Sequence, residues 1–223
     1  MRSFIHVDVP QHLEDGTANP DWLAARLGRI TGSVANDMLS VARKAGEGLR
    51  VNLAIRLALE QRTGKPLGSK VQTQAMKDGT EREPMARFAY EQDRRVLVER
   101  TGFLAHADLM AGASLDGHLG DFEGLISIKC PEHATHWDTV RHGEIELKYH
   151  RQILHEMWLT DALWCDFVSF HPDFDEALQL KVIRVERNKK AIEQHDADVR
   201  QFLQEVQAHV DAMRMMAEGI RAA

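Results

Sequence analysis

Between residues 95 and 185 the chain drops the helical spacing that precedes and follows it, and this change of period restricts the fold more than any other feature. Short apolar runs at 95–98, 103–109, 113–117 and 124–130, the last reading GLISIKC, are separated by turn residues and predict a small curved sheet. A helix is expected over 149–163, then strands over 165–170 and 178–185 around the turn at Pro172. Upstream, Asn19-Pro20-Asp21 signals a helix start, with Trp22, Leu23, Arg26 and Leu27 following at helical spacing. Thr31 and Ser33 are candidate caps for a helix over 34–42. Gly46 and Gly48 interrupt it, and 49–62 resumes with Val51, Ile55 and Leu59 on one face. Residues 73–90 predict a helix bent near Pro84. The tail, 188–223, predicts one long helix with a seam of Val199, Leu203, Val206, Val210, Met213, Ala217 and Ile220. Such a seam lies on the domain's own sheet or packs on a neighbouring chain.

A small mixed sheet flanked by helices is the α/β (α+β) class. With no internal repeat, low-complexity tract or long Pro/Gly/Ser linker, residues 1–223 read as one domain. Within it, 1–92 are mainly helical, 93–187 carry the core sheet, and 188–223 form the C-terminal helix. At 223 residues, 43% hydrophobic and 28% charged, the chain can bury a sizeable core, which excludes disordered and fibrous classes. Cys130 and Cys165 are the only cysteines, so a disulfide framework and a Cys-rich zinc site are excluded and a reducing compartment is expected. The first residues read as neither a signal nor a transit peptide and no stretch is long enough for a membrane span, so a cytoplasmic location with no membrane partner is expected.

The net charge of −6 hides a local reversal. Residues 22–70 hold nine Arg and Lys (among them Arg26, Arg29, Arg43, Lys44, Arg50 and Lys70) against Asp37, Glu47 and Glu60. A basic segment in an acidic chain suits a phosphate-binding surface that repels polyanions elsewhere, or simply a solvated helical face.

Three constellations carry chemistry. Ser114-Leu115-Asp116-Gly117, then nine residues, then Ser127-Ile128-Lys129-Cys130-Pro131, can place a carboxylate and an ammonium on one edge of a hairpin. The carboxylate would suit Mg2+, and the Lys could orient or deprotonate an attacking water or stabilise charge on a phosphodiester. Glu83, Arg87 and Tyr90 share a helical face. They read either as a Glu–Arg surface pair with Met85 and Phe88 in the core, or as a carboxylate supporting Asp116. Arg26, with Ser33 at the start of the next helix, reads as a phosphate-binding arrangement or as a capped helix with an exposed Arg. His133, His136 and His142 lack metal-ligand spacing and suit a loop or a DNA-facing role, and Trp137, Trp158 and Trp164 suit core or sheet packing.

Taken in order, W-x3-R-x-G-R-I-T-G-S, G-T-E-R-E-x3-R-x2-Y-E, S-x-D-G with G-L-I-S-I-K-C-P, and Y-x2-Q-x4-M-W-L-T resemble the lambda exonuclease (YqaJ-like viral recombinase) branch of the PD-(D/E)XK nucleases, over about residues 20–187. The resemblance implies a restriction-endonuclease-like core. It makes Asp116 the metal-binding aspartate, Lys129 the catalytic lysine, the carbonyl of Ile128 a backbone metal ligand and Glu83 the helical glutamate supporting the metal. Arg26, Ser33 and Ser114 match groups holding a terminal 5′-phosphate, and Gln152, matching the glutamine on the helix after the core strands, joins them in the implied phosphate- and DNA-binding set. Two positions depart from the family. Ser127 stands at the (D/E)-x-K carboxylate, where its neutral hydroxyl could assist only through water or weak coordination, and Leu115 replaces the usual proline. Glu123 shares strand parity with Ser127 but lies too far back along the strand to substitute.

The implied activity is a Mg2+-dependent (or Mn2+-dependent) 5′→3′ exonuclease degrading one strand of linear double-stranded DNA from a 5′-phosphorylated end, for phage-type recombination by strand annealing. A homotrimer and a single-strand annealing protein are implied partners. The alternatives are a DNA-end binding protein whose hydrolytic site was lost at Ser127, and an endonuclease with the same core.

Overall fold

The computed structural model describes residues 4–7, 9–11, 13, 17, 19–41, 48–67 and 74–222. In chain order the elements are β1 (Phe4–Val7), α1 (Pro20–Arg26), β2 (Ile30–Thr31), α2 (Ala35–Met38), α3 (Leu49–Thr63), α4 (Gln74–Arg94), β3 (Phe103–His106), β4 (Ala111–Ser114), β5 (Gly117–Leu119), β6 (Gly124–Lys129), α5 (His133–His142), α6 (Leu147–Thr160), β7 (Trp164–Phe170), α7 (Glu176–Gln179), β8 (Leu180–Glu186) and α8 (Lys189–Ala222). A 3-10 turn, Gly32–Val34, joins β2 to α2.

The strands form two four-stranded sheets, ordered β1-β3-β4-β2 and β5-β6-β7-β8, where the sequence predicts one. Apolar runs mark strands but do not name their partners. In the first sheet only β2 runs parallel to its neighbour β4; in the second, β6 and β7 are parallel and the outer pairs antiparallel. A two-residue connection, Leu115 and Asp116, carries the chain from β4 in one sheet to β5 in the other. The expected strand at 95–98 is absent: the chain leaves α4 through Arg95 at φ +56°, and the Val98 N–H is held by Glu91 Oε1 at 2.8 Å.

Both faces of the second sheet are covered, which explains the near-continuous burial of β6. Ile126 and Ile128 pack with Val168 and Phe170 against Ala86 and Tyr90 of α4. Leu125, Cys165 and Phe167 join the larger core with Ile153 and Met157 of α6 and Val199, Phe202 and Val206 of α8. The seam of α8 therefore packs within the chain, on α3 and α6 rather than on a sheet, and it ends before Ile220, which is 76% exposed.

Locally, Asn19 caps α1 through its side chain, which accepts from the Asp21 N–H at 3.0 Å, with Pro20 at the first helical position as expected. The helix expected over 34–42 is shorter, ending at Met38, and neither Thr31 nor Ser33 caps it: Val34 is its N-cap and makes no side-chain cap bond. On α3 the buried face is Leu53, Ala54, Leu57 and Ala58, not that of Val51, Ile55 and Leu59, because α2 and α8 meet it from the other side. The helix α4 continues through Pro84 to Arg94, and among its described residues Ala86 and Tyr90 are buried while Phe88 is 62% exposed, contrary to a core role for Met85 and Phe88. Ala42, Thr73, Arg43, Lys44, Glu47 and Lys70 lie outside the described residues. Among described residues no helix is long and apolar enough to cross a membrane.

Candidate active site

Asp116 lies on the connection between the sheets, and β6 runs alongside. Its Oδ2 accepts from the backbone N–H of Ile128 at 2.7 Å and from Lys129 Nζ at 3.4 Å. The backbone of β6 thus fixes the carboxylate while the neighbouring ammonium faces it. Burial works against the charge of Lys129, but Asp116, Glu156 and Tyr149 outweigh it, and the lysine pKa lies above its ordinary value. The resting residue is an ammonium. It suits charge stabilisation and water orientation rather than deprotonation.

Asp116, Ser114, Leu115, Trp22, Glu83 and Arg87 line a cleft of about 630 Å³, with Arg100 at its margin. Glu83 reaches Asp116 through a cation: Arg87 Nη2 donates to Glu83 Oε1 and, at 3.2 Å, to the Asp116 carbonyl. The Glu–Arg pair and the active-site role expected of Glu83 are thus not exclusive.

On the other side of Asp116, Arg26 Nη1 donates to Ser114 Oγ at 3.1 Å, and its Nη2 lies 3.4 Å from Thr31 Oγ1 and 3.5 Å from Ser33 Oγ. Trp22 Nε1 also donates to Ser114 Oγ, at 3.1 Å, and the Arg26 guanidinium sits 4.3 Å from the Trp22 ring. With two N–H donors on its oxygen, the Ser114 hydroxyl keeps its own hydrogen for an acceptor from outside. Burial lowers the Arg26 pKa to about 10, partly opposed by Glu60, and the residue stays cationic at neutral pH.

The structure therefore gathers Arg26, Ser33 and Ser114 into one cluster and Asp116, Ile128 and Lys129 into another, with Ser114 at the end of β4 two residues before Asp116. A match to the model of the YqaJ-like viral recombinase domain spans residues 21–163 and includes every one of these positions. The chain belongs to the YqaJ-like viral recombinase family.

This family member is similar to a solved alkaline exonuclease from Laribacter hongkongensis, with a TM-score of 0.82 and 33% identity over 91% of this chain and 100% of that one. The same enzyme in complex with dAMP matches with a TM-score of 0.83 at 33% identity, with the same coverage. A phage-related exonuclease from Haemophilus somnus 129PT shares the fold, with a TM-score of 0.64 at 13% identity over 85% of this chain and 96% of that one. No curated protein sequence matches the chain. The fold is that of PD-(D/E)XK-like exonucleases.

Two further features of this YqaJ-like site escape sequence reasoning. Ser127, at the (D/E)-x-K carboxylate position, is 1% exposed, and among described residues its Oγ has no hydrogen-bond partner. Glu156 on α6 is 2% exposed, and its Oε1 accepts from Gln152 Nε2 at 2.8 Å. Burial first, and the Asp116 charge second, push the Glu156 pKa up to about 8. Gln152 thus serves Glu156. The signal available for Glu156 was its spacing of four from Gln152 and seven from Tyr149, one face of one helix.

Much of the basic segment is engaged internally. Arg29 Nη1 donates to the carbonyls of Leu109 and Ala111, and Arg50 pairs with Glu205 at 2.8 Å. The histidine group after Lys129 is on a helix, α5, not a loop, and His136 is fully buried between Ser169 Oγ and the Leu178 carbonyl, each at 2.8 Å. Trp137 is exposed and stacks on Phe174, whereas Trp158 is buried and Trp164 carries the Arg184 guanidinium 3.7 Å from its ring.

Among the described residues no three His, Cys, Asp or Glu side chains gather as a ready-made cage for a metal. The donor set still fits a hard cation. The charge of Asp116 raises the pKa of the buried Glu156 carboxyl, and the buried Ser127 hydroxyl has no hydrogen-bond partner among described residues. Mg2+ and Mn2+ need few protein oxygens, because waters and substrate phosphates fill the remaining positions.

Proposed function

We propose that this chain is a divalent-metal-dependent exonuclease that degrades one strand of linear duplex DNA in the 5′→3′ direction from a 5′-phosphorylated end. One observation carries the reading: the anion-holding cluster ends at Ser114 and the hydrolytic cluster begins at Asp116, on one two-residue connection lining one cleft. A site that cuts internally has no terminal phosphate to hold, and the endonuclease reading leaves Arg26, Ser33 and Ser114 without a task.

The Arg26 fork and the Ser33 and Ser114 hydroxyls bind the terminal phosphate as charge-assisted donors. Asp116 and the Ile128 carbonyl would hold Mg2+ or Mn2+, which would supply polarisation of the scissile phosphate and a lowered pKa of water. Lys129 Nζ, kept charged by Asp116, stabilises the negative charge that builds on the phosphodiester oxygens. Arg87 holds Glu83 at the cleft wall and fixes the Asp116 backbone. The Laribacter hongkongensis enzyme is solved with dAMP, a 5′-mononucleotide, which is the product class that stepwise release from a 5′ end would yield.

On the family resemblance, we extend the proposal to a cytoplasmic homotrimer of single-domain chains that passes the exposed strand to a single-strand annealing protein during phage-type recombination. The exposed Met85 and Phe88 beside a groove shared by α4 and β8 suit a protein contact.

The deciding experiment is timed release of nucleotides from linear duplex DNA, with and without Mg2+ or Mn2+ and with and without a 5′-phosphate. Metal-dependent release favouring phosphorylated ends is expected, with closed circles left uncut. Binding of ends without release under any metal would establish the second reading, an end-binding protein, which the loss of a carboxylate at Ser127 motivates.

A further inference from the structure

The strand position that supplies a carboxylate in the family carries serine here, on the sheet face where Tyr149 of α6 packs against Phe167. Ser127 pairs with Phe167 in the parallel register of β6 and β7, and paired residues of neighbouring strands point to the same side of a sheet. Phe167 meets Tyr149 of α6, ring centres 5.6 Å apart, and Lys129, two residues beyond Ser127, brings Nζ to 5.6 Å from the same ring. The face bearing Ser127 and Lys129 is thus the face that α6 covers. Tyr149, Gln152 and Glu156 recur on α6 at spacings of three and four, so Glu156 comes from the covering side.

One backbone contact, with the charges around it, puts the Glu156 carboxylate near this face. Asp116 and Lys129 both act on it electrostatically, and it acts in turn on Cys165, two residues before Phe167 on β7. A Cβ on Gly32, next to Ser33 in the phosphate cluster, would stand 3.1 Å from Glu156 Oε1, so the turn bearing Ser33 packs closely on Glu156. Opposite, the Ser127 hydroxyl is buried and has no partner among described residues. A buried carboxylate and an orphaned hydroxyl beside an aspartate and a lysine make poor sense as packing, since each costs stability that an apolar pair would not.

We infer that Glu156, delivered from helix α6, is the second carboxylate of the metal site and does the work of the strand carboxylate that Ser127 lacks. The inference rests on the nuclease reading above and deepens it. Negative charge reaches the site from the helix, the serine leaves it room, and Gln152 aims it. A glutamate at position 127 would compete with Glu156 for the same space and charge. The two positions are therefore reciprocal.

The test measures metal binding apart from activity, by calorimetric titration of Mn2+ into the DNA-free chain and by thermal melting. Glu156→Gln should weaken Mn2+ binding by at least the roughly 10- to 100-fold that loss of even an outer partner of a ligand costs. Its metal-free melting temperature should stay close to that of the parent, because the amide keeps an oxygen for Gln152 Nε2. The double change Ser127→Glu/Glu156→Gln should regain most of the affinity and the nucleotide release. Unchanged Mn2+ affinity in Glu156→Gln overturns the inference while the parent's own metal-dependent release keeps the nuclease reading standing. A double variant that regains nothing also overturns it, since the two positions are then not equivalent. A parent chain that neither binds Mn2+ nor releases nucleotides overturns both.

Discussion

Arg26 Nη1 lies 3.1 Å from the hydroxyl of Ser114, and Ser114 is two residues before Asp116. The group that would hold the end of a DNA strand and the group that would hold the metal therefore share one short, extended piece of backbone. Removing the Arg26 guanidinium should uncouple end recognition from hydrolysis. Arg26→Ala should abolish the faster degradation of 5′-phosphorylated over 5′-hydroxyl duplexes while slow release persists. Arg26→Lys should restore little, because one ammonium cannot reach Ser114, Thr31 and Ser33 as a planar fork does. Comparing rates on the two substrates checks both.

Asp116→Asn keeps an oxygen for the Ile128 N–H but loses the charge facing Lys129. Turnover should fall by roughly a thousandfold or more, several kcal/mol of transition-state stabilisation, with folding and end binding retained. Lys129→Ala should lower kcat far more than it raises KM, since its charge acts on the transition state. Steady-state kinetics with band-shift binding on the same variants would show the split.

Gly28 turns the chain out of α1 at φ +65°, and a Cβ there would stand 2.5 Å from Gln61 Cγ. Its N–H is held by Glu60 Oε2 at 2.9 Å and its carbonyl by Gln61 Nε2 at 2.8 Å. Gly28→Ala should cost about 1–3 kcal/mol, from left-handed strain and the clash together. Because the same turn sets α1 against β4, 5′-phosphate preference should weaken too. Denaturant unfolding and the paired substrates measure the two effects.

Burial pushes the pKa of His155 down to about 3 and that of His195 down to about 4, and the two rings meet at 3.1 Å in the core. Both are neutral when folded and bind protons near pH 6.5 when unfolded. The unfolded chain therefore takes up more protons as pH drops below about 6.5, so stability is fully present above about pH 6.5 and falls from there down through about pH 4. Melting temperatures across that range should show the decline, and His195→Gln should flatten it.

Residues whose proximity depends on short spacing were readable in the sequence. Arg26, Ser33, Ser114, Asp116 and Lys129 sit in compact motifs, and the geometry that joins them follows from a helix start, a strand end and a short connection. Glu156 was not readable in this way, because its place depends on which face of α6 meets which strand, a choice made by packing over a long sequence distance. The same reason hides the split into two sheets: β1, a single run of four residues, finds β3 across almost a hundred positions. Composition misled at Phe88 and Trp137, where apolar side chains lie on the surface, and at His136, where a polar ring is satisfied inside.

Leu115, between Ser114 and Asp116, is buried in the main core. Where a proline would hold this bend by its ring, whose stiffness hardly changes with temperature, leucine holds it by dispersion and apolar burial, which last only while the neighbours stay packed. The distance between the Arg26–Ser114 cluster and Asp116 is thereby set by the interior. On warming, an enzyme built this way should lose its fidelity for phosphorylated ends as the interior softens, before the backbone unfolds.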